Sequence, residues 1–214
     1  LRFRVPDDIE ERIEFDDLIK GHIEMENNVN DFVLLKENGI PTYHFAHCCD
    51  DHFMGTTIVM RGDEWIASLP IHVQLFTACG FELPRYAHVA PVMKLDGESR
   101  RKLSKRKDPE SAVGYYKEEG IPKESVLEYL MNIANSTFEN WRRANPDKSM
   151  DEFDLQLNKM SVSGALFDMV KLFDVSKIVI SKYSAEKVYE EALEWANKFD
   201  QELAEMLTAN KEYS

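Results

Sequence analysis

The stretch from Thr57 to Val89 narrows most sharply what this chain can become. Thr57-Ile58-Val59-Met60-Arg61 is β-branched and stops at Gly62, the signature of a short strand. Asp63 then heads a run whose apolar residues Trp65, Leu69, Val73 and Phe76 recur at helical spacing until Gly80, so a helix capped by Asp63 is expected. Residues 85–89 read as the next strand. Strand, helix, strand is a βαβ unit, and such a unit places its strands in parallel. The expected class is therefore α/β. Ligands of open parallel sheets gather beyond the carboxyl ends of the strands, which is where Arg61 stands.

The flanks differ from this middle. Residues 1–38 read as short strands and turns. Leu1, Phe3 and Val5 alternate with Arg2 and Arg4, and further strands are expected at 13–15, 22–25 and 32–35. Residues 42–53 read as a helix. Beyond Lys107 the pattern is helical. Asp108-Pro109 has the form of a cap followed by proline, with Gly120 as the stop. Pro122 opens a helix to about residue 135, Asn145-Pro146-Asp147 marks a turn, and helices are expected over 150–157, 164–174 and 185–208. Residues 178–180 are open to a short strand instead. The expected division is 1–38, 39–107 and 108–214.

Composition removes several classes. The chain has 214 residues, 30% of them charged, and a formal charge of −13. A basic coat for nucleic acid is excluded, although a local basic patch is not. No apolar run approaches the ~20 residues of a membrane span, and the charged first twenty residues do not form a secretory leader. Three cysteines, Cys48, Cys49 and Cys79, form neither a disulfide framework nor a four-thiolate zinc site, and a reducing cytoplasm is expected.

Three segments carry candidate chemistry. From Lys94 to Lys107 there are seven bases against Asp96 and Glu98. Lysines on a mobile loop opened by Asp96-Gly97 suit a triphosphate, because they stabilise charge that moves onto departing pyrophosphate. A solvated loop and an RNA-backbone contact fit the same charge. On a helix, His44, His47 and Asp51 share a face and read as metal ligands. No zinc spacing accompanies them, and histidines of a packed domain also bond to backbone. Arg61 offers a fork for a carboxylate or an ion pair with Asp63 or Glu64.

Taken together and in order, Gly39-Ile-Pro-Thr-Tyr-His-Phe-Ala, Asp50-Asp-His-Phe-Met-Gly, Val59-Met-Arg-Gly-Asp-Glu-Trp, Tyr86-Ala-His and Lys102-Leu-Ser-Lys-Arg resemble the second half of the catalytic domain of glutamyl-tRNA synthetases. The likeness is dense over about 29–135, with Phe32-Val-Leu-Leu-Lys leading into it. Lys102–Arg106 stands where class I synthetases carry the KMSKS signature, with Leu103 for Met and Arg106 for the last Ser. The resemblance implies the second half of a Rossmann, nucleotidylyl-transferase-like parallel sheet followed by an α-helical stem-contact domain. Residues 1–38 would be the end of the insertion that contacts the tRNA acceptor.

The implied reaction joins L-glutamate to tRNA(Glu) through glutamyl-adenylate. ATP with Mg²⁺ is a substrate, and no tightly bound metal or organic cofactor is expected. Tyr43 and Arg61 fall on glutamate-binding positions. Glu64 and Trp65 follow on the amino-acid and adenosine side, Met93 near adenine, and Lys105 on the ATP phosphates, with Lys102 and Ser104 beside it in the signature loop. Such catalysis rests on positioning and electrostatics. The glutaminyl branch lacks arginine at the place of Arg61. A guanidinium aimed at an amide would also stay uncompensated, so glutamate is preferred over glutamine.

The HIGH signature of class I enzymes is not found. The chain is therefore expected to be a fragment that does not charge tRNA alone, with the anticodon-binding region absent. Expected partners are tRNA(Glu), ATP and L-glutamate, with no membrane, in a cytoplasmic monomer. Open alternatives are a glutaminyl or non-discriminating synthetase, a paralogue that glutamylates a modified nucleoside, and a non-catalytic RNA-binding module. Helical residues 108–214 speak against the paralogue. A tRNA partner further predicts a basic face from the signature loop with Arg142, Arg143 and Lys148, the acids of 7–17 and 186–205 lying elsewhere.

Overall fold

The computed structural model describes residues 1–210. They form two compact units, Leu1–Ala90 with Gln156–Ser163, and Pro91–Leu155 with the chain from Gly164 onward. The helical region expected over 108–214 extends at 211–214 outside the described residues.

The first unit holds β1 (Arg2–Phe3), β2 (Arg12–Asp17), β3 (Gly21–Glu26), β4 (Phe32–Val33), α1 (Tyr43–Met54), β5 (Ile58–Gly62), α2 (Leu69–Cys79) and β6 (Arg85–Val89). Its main sheet has the order β3-β2-β6-β5. The βαβ expectation holds, since β5 and β6 run parallel with Ile58 opposite Arg85 and Arg61 opposite His88. An antiparallel hairpin is added at the far side, where Ile13 faces Met25 and Phe15 faces Ile23. These apolar pairs alternate with charged neighbours, as one half-buried sheet face requires. β2 joins β6 in parallel at Asp17 and Tyr86. A core of Leu34, Cys48, Leu75 and Phe76, flanked by Phe3, Phe32 and Phe45, ties α1 and α2 to the β1–β4 pair. Gly55 and Gly80 end the two helices at φ 68° and 66°, left-handed values that favour glycine.

The helix expected from Asp63 to Gly80 divides. Asp63–Ser68 is a 3₁₀ helix, and the α-helix starts only at Leu69. Pro70 is the cause, because it has no N–H to give the preceding turn and belongs in the first turn of a new helix. Asp63 is not the cap. Its carboxylate instead takes Lys20 at 2.9 Å.

The second unit contains β7 (Met93–Asp96), β8 (Ser99–Lys102), α3 (Val113–Glu118), α4 (Lys123–Ala134), α5 (Phe138–Ala144), α6 (Met169–Ile180), α7 (Ala185–Phe199) and α8 (Gln201–Ala209). Ile121, Tyr129 and Leu172 form its core, with Val126, Phe167 and Val175 against them. Five expectations are corrected in this unit. Residues 94–107 are not a plain loop, since β7 and β8 pair as an antiparallel hairpin with Asp96 opposite Ser99. Asp108 does not cap a helix; its side chain makes no cap bond, and only a 3₁₀ turn follows before α3. Residues 150–157 are not a helix. Ser149 and Glu152 form a capping box around a single 3₁₀ turn, after which Phe153 leaves to pack on Phe138 and Trp141.

Residues 164–168 are extended as well, with Leu166 bridged in parallel to Met93. α6 begins where Asp168 accepts the N–H groups of Val170 and Lys171, the stronger start signal, and it runs through 178–180. The last expected helix breaks at Asp200, whose carboxylate caps α8 through Leu203 N.

Candidate functional site

Parallel register brings the central groups of the first unit together. Residues two apart on a strand share a face, and Arg61 lies opposite His88 while Val59 lies opposite Tyr86. The guanidinium of Arg61 consequently sits over the Tyr86 ring, 4.9 Å from its centre. Its Nε donates to His88 Nε2 at 3.1 Å, Nη1 to His72 Nδ1 at 3.2 Å and Nη2 to the Trp65 carbonyl at 3.4 Å. The two terminal nitrogens carry four N–H groups between them, of which these bonds use two. The Tyr43 side chain interacts with the same guanidinium and stacks on Trp65 with ring centres 4.5 Å apart. Burial lowers the Arg61 pKa, opposed by Tyr86 and Tyr43.

The groups behind Arg61 are wholly buried. His88 and His72 are 0% exposed and Asp17 is 4% exposed. His88 Nδ1 donates to Asp17 Oδ2 at 2.6 Å, and Asp17 also accepts the backbone N–H of His88, Ile19 and Lys20. Burial would push the Asp17 carboxyl up, but these bonds, led by Lys20 N and the His88 ring, bring it below its ordinary value. Because Arg61 only donates, His88 and His72 must accept through the facing nitrogen and are neutral. His72 Nε2 then donates to His44 Nδ1, 2.9 Å away. Burial, with His47 and Arg61 nearby, pushes the His72 pKa down to about 2.

The metal alternative for α1 takes a different form. His47 Nδ1 pairs with Asp51 at 2.5 Å, its Nε2 lies 3.3 Å from the Tyr86 hydroxyl, and His44 is engaged by His72. Among the described residues no group of three or more His, Cys, Asp or Glu is disposed to hold a metal ion. Glu64 is exposed, and its carboxylate folds back over Gly62, where a Cβ would lie 2.2 Å from Oε2.

The remaining predicted residues lie in the second unit, on the hairpin and the turn after it. Met93 packs its side chain over Gly164, and its backbone pairs with Ala165 and Phe167. The basic segment is tied by more bonds than its composition implies. Buried Asp108 takes Arg101 Nη1 and Nη2 at 2.6 and 2.8 Å, Ser104 N at 2.8 Å and Lys94 Nζ at 3.3 Å. Lys94 also bonds Glu110, and Arg101 bonds Asp96. Led by the Arg101 guanidinium, these donors hold the Asp108 carboxyl well below the usual range. Lys102, Lys105, Arg106 and Lys107 remain exposed at the surface, and the Ser104 hydroxyl accepts Arg106 N at 3.4 Å.

The other bases expected to form a basic face are paired with acids: Arg142 with Glu128, Arg143 with Glu139 and Lys148 with Glu152. A cavity of about 550 Å³ lined by Arg142, Lys171, Ile178 and Lys182, among others, holds none of the predicted site residues.

Residues 1–173 match the family model for the catalytic domain of class I tRNA synthetases (E and Q). The chain belongs to this family. Among curated class I relatives, the glutamate–tRNA ligase of Sorangium cellulosum is 53% identical over 100% of this chain and 40% of its own length. That of Clostridium beijerinckii is 56% identical over 99% and 38%. The crystal structure of a glutamate tRNA ligase from Elizabethkingia meningosepticum, in complex with its amino acid, superposes with a TM-score of 0.74 at 31% identity, covering 100% of this chain and 46% of that one. The chain thus spans about two fifths of the length of the curated relatives it matches.

Membership in the family accounts for the α/β class and the parallel β5–β6 pair. Sequence reasoning missed Asp17, His72 and His88 as parts of the site. His88 was visible only within the Tyr86-Ala-His motif. Asp17 and His72 gave no signal, because one ends a charged strand and the other sits in an apolar helix. No helix among the described residues is long and apolar enough to cross a membrane.

Proposed function

We propose that this chain is the part of a glutamate–tRNA ligase that holds the amino acid and half of the ATP site. The observation that carries this reading is Arg61: a half-buried guanidinium at the carboxyl end of β5, fixed by neutral imidazoles and a carbonyl, bonded to the Tyr43 side chain and still holding an N–H for a ligand. That arrangement calls for an anion. It fits the side-chain carboxylate of L-glutamate, with the Tyr43 hydroxyl as a second donor.

In the first step a glutamate α-carboxylate oxygen attacks the α-phosphorus of Mg²⁺-bound ATP and pyrophosphate leaves. In the second, a terminal ribose hydroxyl of tRNA(Glu) attacks the acyl carbon and AMP leaves. Lys105, with Lys102, stabilises charge on the departing pyrophosphate, and the Asp108 tether keeps the turn that bears Lys105 in place. Ser104 completes that turn, while Glu64, Trp65 and Met93 serve the adenosine. Residues 1–38 contact the tRNA acceptor end and the helices after 108 its stem, in the cytoplasm. Glutamine is disfavoured because its amide leaves the guanidinium uncompensated.

The test is ATP–pyrophosphate exchange by the full-length protein. L-Glutamate should support exchange and L-glutamine should not. Arg61→Ala should lower kcat/KM for glutamate by about 10²-fold or more. Lys105→Ala should reduce exchange while leaving tRNA affinity within a few fold. Equal activity with glutamine, or a Lys105→Ala protein that loses only RNA binding, would overturn the reading.

A further inference from the structure

We infer that His88 and His72 are positioning residues that hold Arg61 without neutralising it, and so set the preference for an acidic over an amide side chain. The inference rests on the glutamate reading of Arg61 and adds to it the groups that determine its specificity.

Both imidazoles act as neutral spacers. Asp17 lies behind His88, fixed by three backbone N–H groups, and takes the Nδ1 proton at 2.6 Å. This selects one tautomer and leaves Nε2 as an acceptor for Arg61 Nε. The carboxylate is thereby kept one ring away from the guanidinium. Direct contact between Asp17 and Arg61 would satisfy the fork and repel a substrate carboxylate, whereas an interposed ring transmits orientation and leaves the charge available. His72 does the same on the other side, its Nδ1 accepting Arg61 Nη1 and its Nε2 turned to His44. The two rings bind different nitrogens of one planar group, so together they fix its plane.

The decisive comparison is His72→Gln against His72→Glu in the full-length protein, since the two replacements match in size and differ in charge. Exchange kinetics give KM for glutamate, glutamine and ATP separately, and melting checks the fold. His72→Gln should keep the glutamate KM and the glutamate-to-glutamine ratio within about threefold. His72→Glu should raise the glutamate KM about 30-fold or more and lower that ratio at least about tenfold, with the ATP KM unchanged. A merely structural histidine would make the two variants alike, and that result overturns the inference. Should His72→Glu not fold, His88→Gln against His88→Leu repeats the contrast between a neutral acceptor and none. Only the Gln form should keep the parent's glutamate KM, and equal values would again overturn it. A parent without glutamate-dependent exchange would instead refute the reading of the site itself, and this inference with it.

Discussion

Gly62→Ala separates stability from site geometry. Gly62 has φ −65° and ψ 149°, an extended conformation that alanine adopts freely. Removing the glycine's freedom in the unfolded chain stabilises by about 0.4–1 kcal/mol. The obstacle is local. The new Cβ would lie 2.2 Å from Glu64 Oε2, 2.7 Å from its Cδ and 2.9 Å from its Oε1. To reach ordinary contact the carboxylate must move by about 1 Å. Glu64 is exposed, so this movement costs little folding energy, and the melting temperature should stay within about 3 °C of the parent. Displacement of a site group by that distance can lower a rate about 10²-fold. Calorimetry together with pyrophosphate exchange should therefore give a near-parental melt with an exchange rate reduced about 10- to 100-fold and a raised ATP KM. A parental ATP KM would remove Glu64 from the nucleotide side, and a melt lowered by ten degrees or more would refute the steric argument.

Other expectations concern the tethered turn, the core and the thiols. The Asp108 carboxyl is depressed in the folded state, chiefly by Arg101, so its stabilising effect is complete above the unfolded value of about 3.9 and is lost as pH falls below that. Amide exchange at Leu103 and Ser104, corrected for intrinsic rates, should show constant protection from pH 5 to 8 and rise at all pH values in Asp108→Asn; a change near pH 6 would contradict this. Phe76 is 1% exposed in the first unit's core, and Phe76→Ala should cost about 3–5 kcal/mol in urea unfolding. Burial, with Cys79 and Cys49 beside it, pushes the Cys48 thiol up to about 12, while Cys79 is exposed. A chromogenic disulfide reagent should label Cys79 first and reach Cys48 only on unfolding.

The elements that could be read from the residues are those whose local and tertiary signals agree. Ile58–Gly62 opens on two β-branched residues and lies half-buried at a sheet edge, and Gly80 ends a helix where left-handed backbone is needed. Reading failed where a stronger partner lay far away in sequence. Phe153 leaves a helical pattern for Phe138 and Trp141, and Leu166 leaves one for Met93. The hairpin at 93–102 gave no alternation because its strands carry Lys94, Arg100 and Lys102 and little apolar surface. Arg61 was singled out by its guanidinium at the carboxyl end of a parallel strand, while Tyr43 came only with the family resemblance. The Asp17–His88 pair was not, because 71 residues separate its members and only the register of β2, β6 and β5 aligns them.

Segment Gln156–Ser163 leaves the second unit and counts with the first, where Lys20 Nζ reaches the Val162 carbonyl at 2.6 Å and Asp63 at 2.9 Å. No single cut in the polypeptide can therefore release either unit whole. A clone stopping at Ala90 would lack this returning strap, and a chimera that exchanged the first unit would need three junctions, at 90/91, 155/156 and 163/164, to carry it intact.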